Sequence, residues 1–143
     1  MKKFWWLLLL FFSLAACQNS RPVINSVLIG GQNIKLELAD TNESRALGLG
    51  RRDWLAPDAG MLFIFSDYQV RNFWMKEMRF PLDIIWLKDN QIVGFVQNVP
   101  APTSHQLIIY QSDQPVNYVL ELKAGWLEKN QVQAGDKVEF LTD

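Results

Sequence analysis

Cysteine and histidine are almost missing from this chain, with one of each in 143 residues. A lone cysteine, Cys17, leaves no intramolecular disulfide and no cysteine metal site. A lone histidine, His105, excludes a multi-histidine centre, so no metal and no cofactor is expected. Basic runs are lacking as well: 14 Lys and Arg stand against 15 Asp and Glu. Without a basic stripe the chain has no footprint for a phosphate backbone, and no nucleic-acid partner is expected. No nucleophile elbow, phosphate-cradling glycine loop or metal motif occurs. His105 beside Ser104 has no special geometry and reads as a loop residue. Long apolar runs are missing too. Phe4–Phe12 is the longest, well short of the roughly 20 residues that span a bilayer.

What that run does have is a context. Lys2 and Lys3 precede it and Ser13-Leu14-Ala15-Ala16-Cys17 follow it. A basic start, a short apolar stretch and small residues read as an export signal. Leu14-Ala15-Ala16-Cys17 resembles the lipobox of bacterial lipoproteins, in which the cysteine thiol is joined to diacylglycerol and becomes the first mature residue. Several acyl chains together hold a protein on a membrane where one would be marginal. The expected organisation is a signal peptide over 1–16, a lipidated tether over 17–22 and a single domain over 23–143. The expected location is the bacterial envelope, and with Gln18 after the cysteine the periplasmic face of the outer membrane where there is one. Loss of Lys2 and Lys3 leaves 12 basic residues against 15 acidic ones. One domain of this length holds an ordinary core.

Along that domain the signals are those of short strands. Val23–Ile29 and the alternating Ile34–Leu38 flank Gly30-Gly31-Gln32-Asn33, a hairpin pattern. Asp40 or Thr41 caps a short helix over Glu43–Leu47, stopped at Gly48. Further strands are predicted at Met61–Phe65, Asn72–Met75, Leu82–Leu87, Ile92–Val99, Gln106–Tyr110, Val116–Leu122 and Lys137–Leu141, with a helical turn within Ala124–Asn130. No long helical period and no repeat appears. Many short strands at close spacing predict an all-β, mostly antiparallel fold: a compact sandwich or barrel with one or two short helices.

Several stretches carry a resemblance: Arg45-Ala46-Leu47-Gly48-Leu49, Arg52 with Leu55, Gly60–Phe65, Phe73-Trp74-Met75-Lys76, Pro81–Ile85, Leu120-Glu121-Leu122, Gly125-Trp126 and Gly135-Asp136. In order and spacing they resemble the bacterial and archaeal domain-of-unknown-function family 192, also called uncharacterised protein family 0127, here in a lipoprotein form. The resemblance covers about Ile34 to Phe140. It implies a compact β-rich domain, often exported, and brings no established activity or catalytic residue. Two positions depart from the commoner pattern. Gly50 stands where methionine is usual, and Glu77-Met78 stand where Asn-Thr is usual.

The apolar segment Asn72–Leu87 carries four charges, Lys76, Glu77, Arg79 and Asp83. Strand alternation places Trp74 and Lys76 together on a surface, and Asp83 on the face of Ile85 and Leu87. A carboxylate there is costly unless paired. Asp83 therefore pairs with an arginine, caps a turn, or serves a site. Among Arg45, Arg52 and Arg79, Arg52 is the first choice of partner for its two-pronged grip. By the same alternation Glu121 points outward, onto a solvated strand face. Trp86 reads as core, while Trp74 and Trp126 are candidates for stacking.

Taken together, Arg52, Trp74, Lys76, Glu77, Asp83 and Glu121 are the candidate ligand-binding residues of a non-catalytic module for a polar ligand such as a glycan. Two alternatives stand beside it. Asp83, Glu77 and Glu121 could supply the carboxylate pair of a hydrolase acting on envelope glycans, or the domain docks an envelope protein through an edge or an apolar patch. The expected membrane attachment is tested at Cys17. Metabolic labelling with a tagged fatty acid should mark the wild type and leave Cys17→Ser unmarked; an unlabelled wild type would remove the lipoprotein assignment.

Overall fold

The computed structural model describes residues 23–103 and 108–142. The signal peptide, Cys17, His105 and the start of the strand expected at 106–110 lie outside the described residues. Nine strands and two short helices follow in the order β1 (Ile24–Ile29), β2 (Gln32–Ala39), α1 (Asn42–Leu47), β3 (Ala59–Gln69), β4 (Asn72–Trp74), β5 (Leu82–Lys88), β6 (Gln91–Val99), β7 (Ile109–Gln111), β8 (Val116–Lys123), α2 (Trp126–Lys129) and β9 (Glu139–Thr142). The fold is mostly strand, as the spacing of turn signals predicts.

Seven strands form one sheet in the order β6-β5-β8-β3-β2-β1-β9, and β4 and β7 form a separate two-stranded ribbon. Every pairing is antiparallel except β2 with β3. The parallel pair needs a crossover, and α1 with the segment up to Pro57 provides it. Gly30 and Gly31, at φ 56° and 77°, make the two-residue turn between β1 and β2, a conformation glycine adopts freely. Thr41 caps α1 in a reciprocal arrangement with Ser44, with Glu43 in the first turn.

The sheet does not close into a barrel. Its two edges meet at one end, where Ile92 donates to the Asp136 carbonyl at 2.9 Å and Val138 to that of Asn90 at 2.8 Å. Between β6 and the approach to β9 there is one isolated bridge, Gln91 with Lys137. A curled, sandwich-like sheet results. Its inner face holds one apolar cluster, including Ile29, Leu62, Ile85, Leu87, Leu120 and Leu127. Its other face holds a second cluster, including Met61, Phe63, Ile84, Trp86 and Val119, covered by Leu49, Met75 and Met78 from the connecting segments. Successive residues of β5 thus alternate between two cores, which explains why Leu82–Leu87 has no polar face.

Asp83 sits among them with no exposed surface. Its partner is not Arg52, which forms a two-pronged pair with Glu37. Asp83 instead accepts three backbone N–H groups: Asn98 at 2.8 Å, Gly125 at 3.2 Å and Leu127 at 2.9 Å. Gly125 has no side chain to cap α2, so the carboxylate of a neighbouring strand takes that part. The same carboxylate holds Asn98 where it turns to φ 53°. Three charge-assisted bonds satisfy the acid without a cation.

Asp83→Asn keeps the size but points an NH₂ at amide donors. Hydrogen bonds to charged groups contribute about 1.5–3 kcal/mol each, so chemical denaturation should show a loss of about that size or more. An unchanged denaturation midpoint would contradict the capping role.

Candidate functional site

A cleft of about 330 Å³ opens on the second face of the sheet, at the small end of ligand sites. One wall is α1 and the turn after it, from Asn42 to Gly50. The other is built by β3 and by β4 with the residues that follow it. The floor includes Glu121 of β8. Phe63, Phe65, Phe73 and Trp74 supply aromatic surface, and Arg45 and Lys76 bring positive charge.

Glu121 departs most from its sequence pattern. Alternation does place it opposite Leu120 and Leu122, but that face is not solvated. Across the ladder its neighbours are Met61 on β3 and Ile84 on β5, and the second layer covers it, leaving it 4% exposed. Its carboxyl receives no hydrogen bond and no ion pair from the described residues. Burial alone pushes its pKa up to about 8, since the charged form loses its hydration and gains nothing in exchange. At neutral pH the group is a carboxylic acid, able to donate one hydrogen bond and accept another.

The cations around the cleft are held differently. The Arg45 guanidinium donates to the carbonyls of Asp40 at 2.7 Å and Ile64 at 2.8 Å, and to the Asn42 side chain at 2.7 Å. It also lies over the Phe65 ring at 5.3 Å, whose ring carries Arg71 at 3.8 Å. No carboxylate among the described residues neutralises Arg45. Lys76 is exposed and likewise has no ion-pair partner among them.

Two loops are tied together beside the cleft. Arg51 donates its backbone N–H to the Glu77 carbonyl at 2.9 Å and its guanidinium to the Glu77 carboxylate at 3.0 Å. The Arg51 guanidinium holds the Glu77 carboxyl below its ordinary range. Both residues have left-handed backbones, φ 66° and 59°, and both side chains are well exposed, so their ion pair contributes little. It sets the spacing of the loops that carry Gly50 and Lys76.

Of the six candidates, Trp74, Lys76 and Glu121 meet at this cleft. Trp74 is 46% exposed, an aromatic face available to a ligand. Arg52 and Glu37 form a pair away from it, Glu77 faces Arg51, and Asp83 lies on the opposite side of the sheet. The three acids considered for hydrolysis therefore do not converge, and Glu121 is the one acid lining the cleft. Trp126 packs in the inner cluster and Trp86 in the second. Asn42, Phe63, Phe65 and Phe73 also line the cleft, unannounced by the sequence pattern, and Arg45 belongs here and not beside Asp83. Arg45 on α1 and Phe63 and Phe65 on β3 share no local pattern with β8; the antiparallel β3–β8 ladder brings the rings beside Glu121, and the crossover carrying α1 brings Arg45.

A β-rich domain with an open, aromatic, acid-floored cleft is the class that fold and site define. Within that class the chain belongs to the family DUF192, described as "Uncharacterized ACR", whose model matches residues 25–140. A candidate transcription regulator from Sinorhizobium meliloti 1021 is 34% identical, with a TM-score of 0.71 over 80% of this chain and 90% of that one. A protein of unknown function from Novosphingobium aromaticivorans DSM 12444 is 26% identical, with a TM-score of 0.74 over 85% of this chain and 94% of that one. No curated protein matches the chain.

The Glu121 acid makes stability depend on pH with a definite sign. The unfolded chain releases this proton near 4.5 and the folded one keeps it to about 8. Between those values the folded state binds more protons, so stability falls as pH rises from about 4.5 to about 8 and then levels. A proton held by the folded state alone costs about 1.4 kcal/mol of stability for every pH unit crossed. Over this interval the loss is of order 4–5 kcal/mol. Glu121→Gln should remove this slope, gaining on the wild type as pH rises. Denaturation of both proteins from about pH 4.5 to about pH 8.5 checks it, and parallel curves would contradict the buried, unpaired acid.

Proposed function

We propose that this chain is a lipid-anchored envelope protein whose cleft binds a small polar ligand without transforming it. The observation that carries the reading is Glu121, a buried acid left unpaired beneath aromatic walls. Such a group destabilises the fold, and groups of that kind concentrate at functional sites. Trp74 offers a stacking face and Lys76 a mobile charge at the rim, in keeping with a ligand that is part apolar and part polar. With a single acid in the cleft, the two-carboxylate route of glycoside hydrolysis has less support than binding. Anchoring rests on Leu14–Cys17. Among the described residues no helix is long and apolar enough to cross a membrane.

The S. meliloti relative bears a regulator's description, but α1 and α2 here have six and four residues. Both are too short to lie along a major groove as recognition helices do. Ligand binding within the envelope is therefore preferred for this chain, with glycan and peptide fragments of the wall as the nearest candidates.

Soluble fragments from a peptidoglycan digest serve as the probe. They should raise the melting temperature of the purified protein. Trp74→Ala, at an exposed position, should fold normally and lose at least half of that rise. No rise with the wild type, or an equal rise with the variant, would contradict the binding reading.

A further inference from the structure

The arrangement of charge around the cleft says more about the ligand than its polarity. We infer that the cleft takes a small zwitterion of the amino-acid type, its ammonium group against the Glu121 carboxylate and its acidic group at Arg45 and Lys76. This rests on the binding reading above and narrows it to one chemical class.

From the flanking strands Glu121 meets only Met61 and Ile84. β2 contributes Glu37 to the same row of the sheet, already engaged by Arg52. The segment after β4 contributes Lys76 and Glu77, the latter held by Arg51. α1 contributes Arg45, and β7 contributes the Tyr110 ring to the apolar cluster. Lys123, two residues along β8, is exposed and does not line the cleft. No described cation pairs with the Glu121 carboxyl, while beside the same cleft Arg45 has no described anion and Lys76 has only the exposed Glu77 carboxylate near it, itself held by Arg51.

The site is thus polarised, with an acid at the buried end and two cations that form no ion pair among the described residues beside it. A neutral sugar ring would hydrogen-bond the protonated acid but leave the positive charge at the rim unanswered. A simple amine would answer Glu121 but approach past Arg45 and Lys76. A simple anion would answer the rim but hold only to the protonated acid, and would be repelled once Glu121 ionises. A molecule carrying both charges matches both ends. The walls agree, because an ammonium beside Phe63, Phe73 and Trp74 gains from the negative faces of aromatic rings.

Proton bookkeeping follows from the pairing. Free Glu121 is protonated at neutral pH, burial having pushed its pKa up to about 8. To pair with an ammonium it must ionise, so one proton leaves to solvent for each ligand bound, and the ligand keeps its own. Affinity should therefore rise with pH, by up to about tenfold for each pH unit below about 8, and level above it. A ligand that accepts a hydrogen bond from the neutral acid would show the opposite trend, weakening above about pH 8.

The test is calorimetric titration of the full chain with each of the common amino acids. The tightest is then repeated as its deaminated acid, its decarboxylated amine and its N-acetyl form, with N-acetylglucosamine alongside. Titrations at about pH 6, 7 and 8, in buffers of different ionisation enthalpy, count the protons released. The expected result is binding by at least one amino acid, about tenfold weaker or more once the amine is removed or acetylated, with about one proton released at the lowest pH. Glu121→Gln should lose that affinity and the proton. Lys76→Ala should weaken the amino acid and leave its decarboxylated amine as tightly bound or tighter.

Binding of N-acetylglucosamine that weakens with Glu121→Gln, with no amino acid bound, would overturn the zwitterion and keep the binding cleft. A bound amino acid whose affinity is flat or falling with pH would also overturn it. Silence from the whole panel overturns the inference, and silence from the peptidoglycan digest as well would remove the binding reading with it.

Discussion

Both faces of β5 and β8 are buried, and most of what is unusual in this protein follows from that. These two strands lie side by side in a sheet that is curled over one apolar cluster and covered on its outer face by a second. Neither strand has a wet face, so any acid on them is desolvated. There are two, Asp83 and Glu121, at adjacent register positions: Asp83 opposite Leu122 and Ile84 opposite Glu121. They face opposite sides of the same sheet. The same desolvation acts on each, and the surroundings resolve it in contrary ways.

Asp83 is answered by the backbone. The three amides it accepts come from β6 and from the start of α2, segments that lie 15 to 44 residues along the chain. The acid thereby joins the end of the inner core to the two turns that close it. Glu121 is answered by nothing in the described protein. An apolar residue between Met61 and Ile84 would carry no such desolvation cost. Domains of this size have a net stability of about 5–15 kcal/mol, so an unpaired acid that costs several kcal/mol by about pH 8 is a large concession. Asp83 is explained by structure alone and Glu121 is not, and this asymmetry turns attention to the cleft.

Strand content is readable in the sequence because period-two alternation and turn residues are local properties. The hairpin over Gly30-Gly31, the helix ended by Gly48, and the strands at 82–87, 92–99 and 116–122 all fall within a residue or two of their places. The second layer is not readable. Leu49, Met75 and Met78 cover the outer face from irregular segments whose patterns say nothing of what they cover. For that reason the alternation of Glu121 gives the correct side of the sheet and the wrong solvent exposure. The Arg52 pairing fails for a related reason. A sequence distinguishes side chains, whereas the backbone amides that satisfy Asp83 belong to nearly every residue and mark no position. Trp74 and Lys76 are legible because two alternating residues beside a proline-broken segment suffice to put both on one surface.

Gly50 lines the cleft, and Glu77 stands beside it in the facing loop. Glu77 occupies a left-handed backbone position, at φ 59°, where asparagine is the residue better suited to that conformation. A charged residue held there needs a compensating contact, and Arg51 provides it, itself left-handed at φ 66°. At Gly50 a β-carbon would come within 2.9 Å of the Leu47 carbonyl, so in this chain the turn after α1 closes too tightly for a side chain. These two positions are neighbours in space, because the Arg51 backbone amide bonds to the Glu77 carbonyl and a β-carbon at Gly50 would stand beside Glu77. These contacts tie the 48–51 and 76–78 loops together beside the cleft. Glu121 keeps its buried place beside them, and Lys76 makes no ion pair among the described residues, the Glu77 carboxylate being held by Arg51.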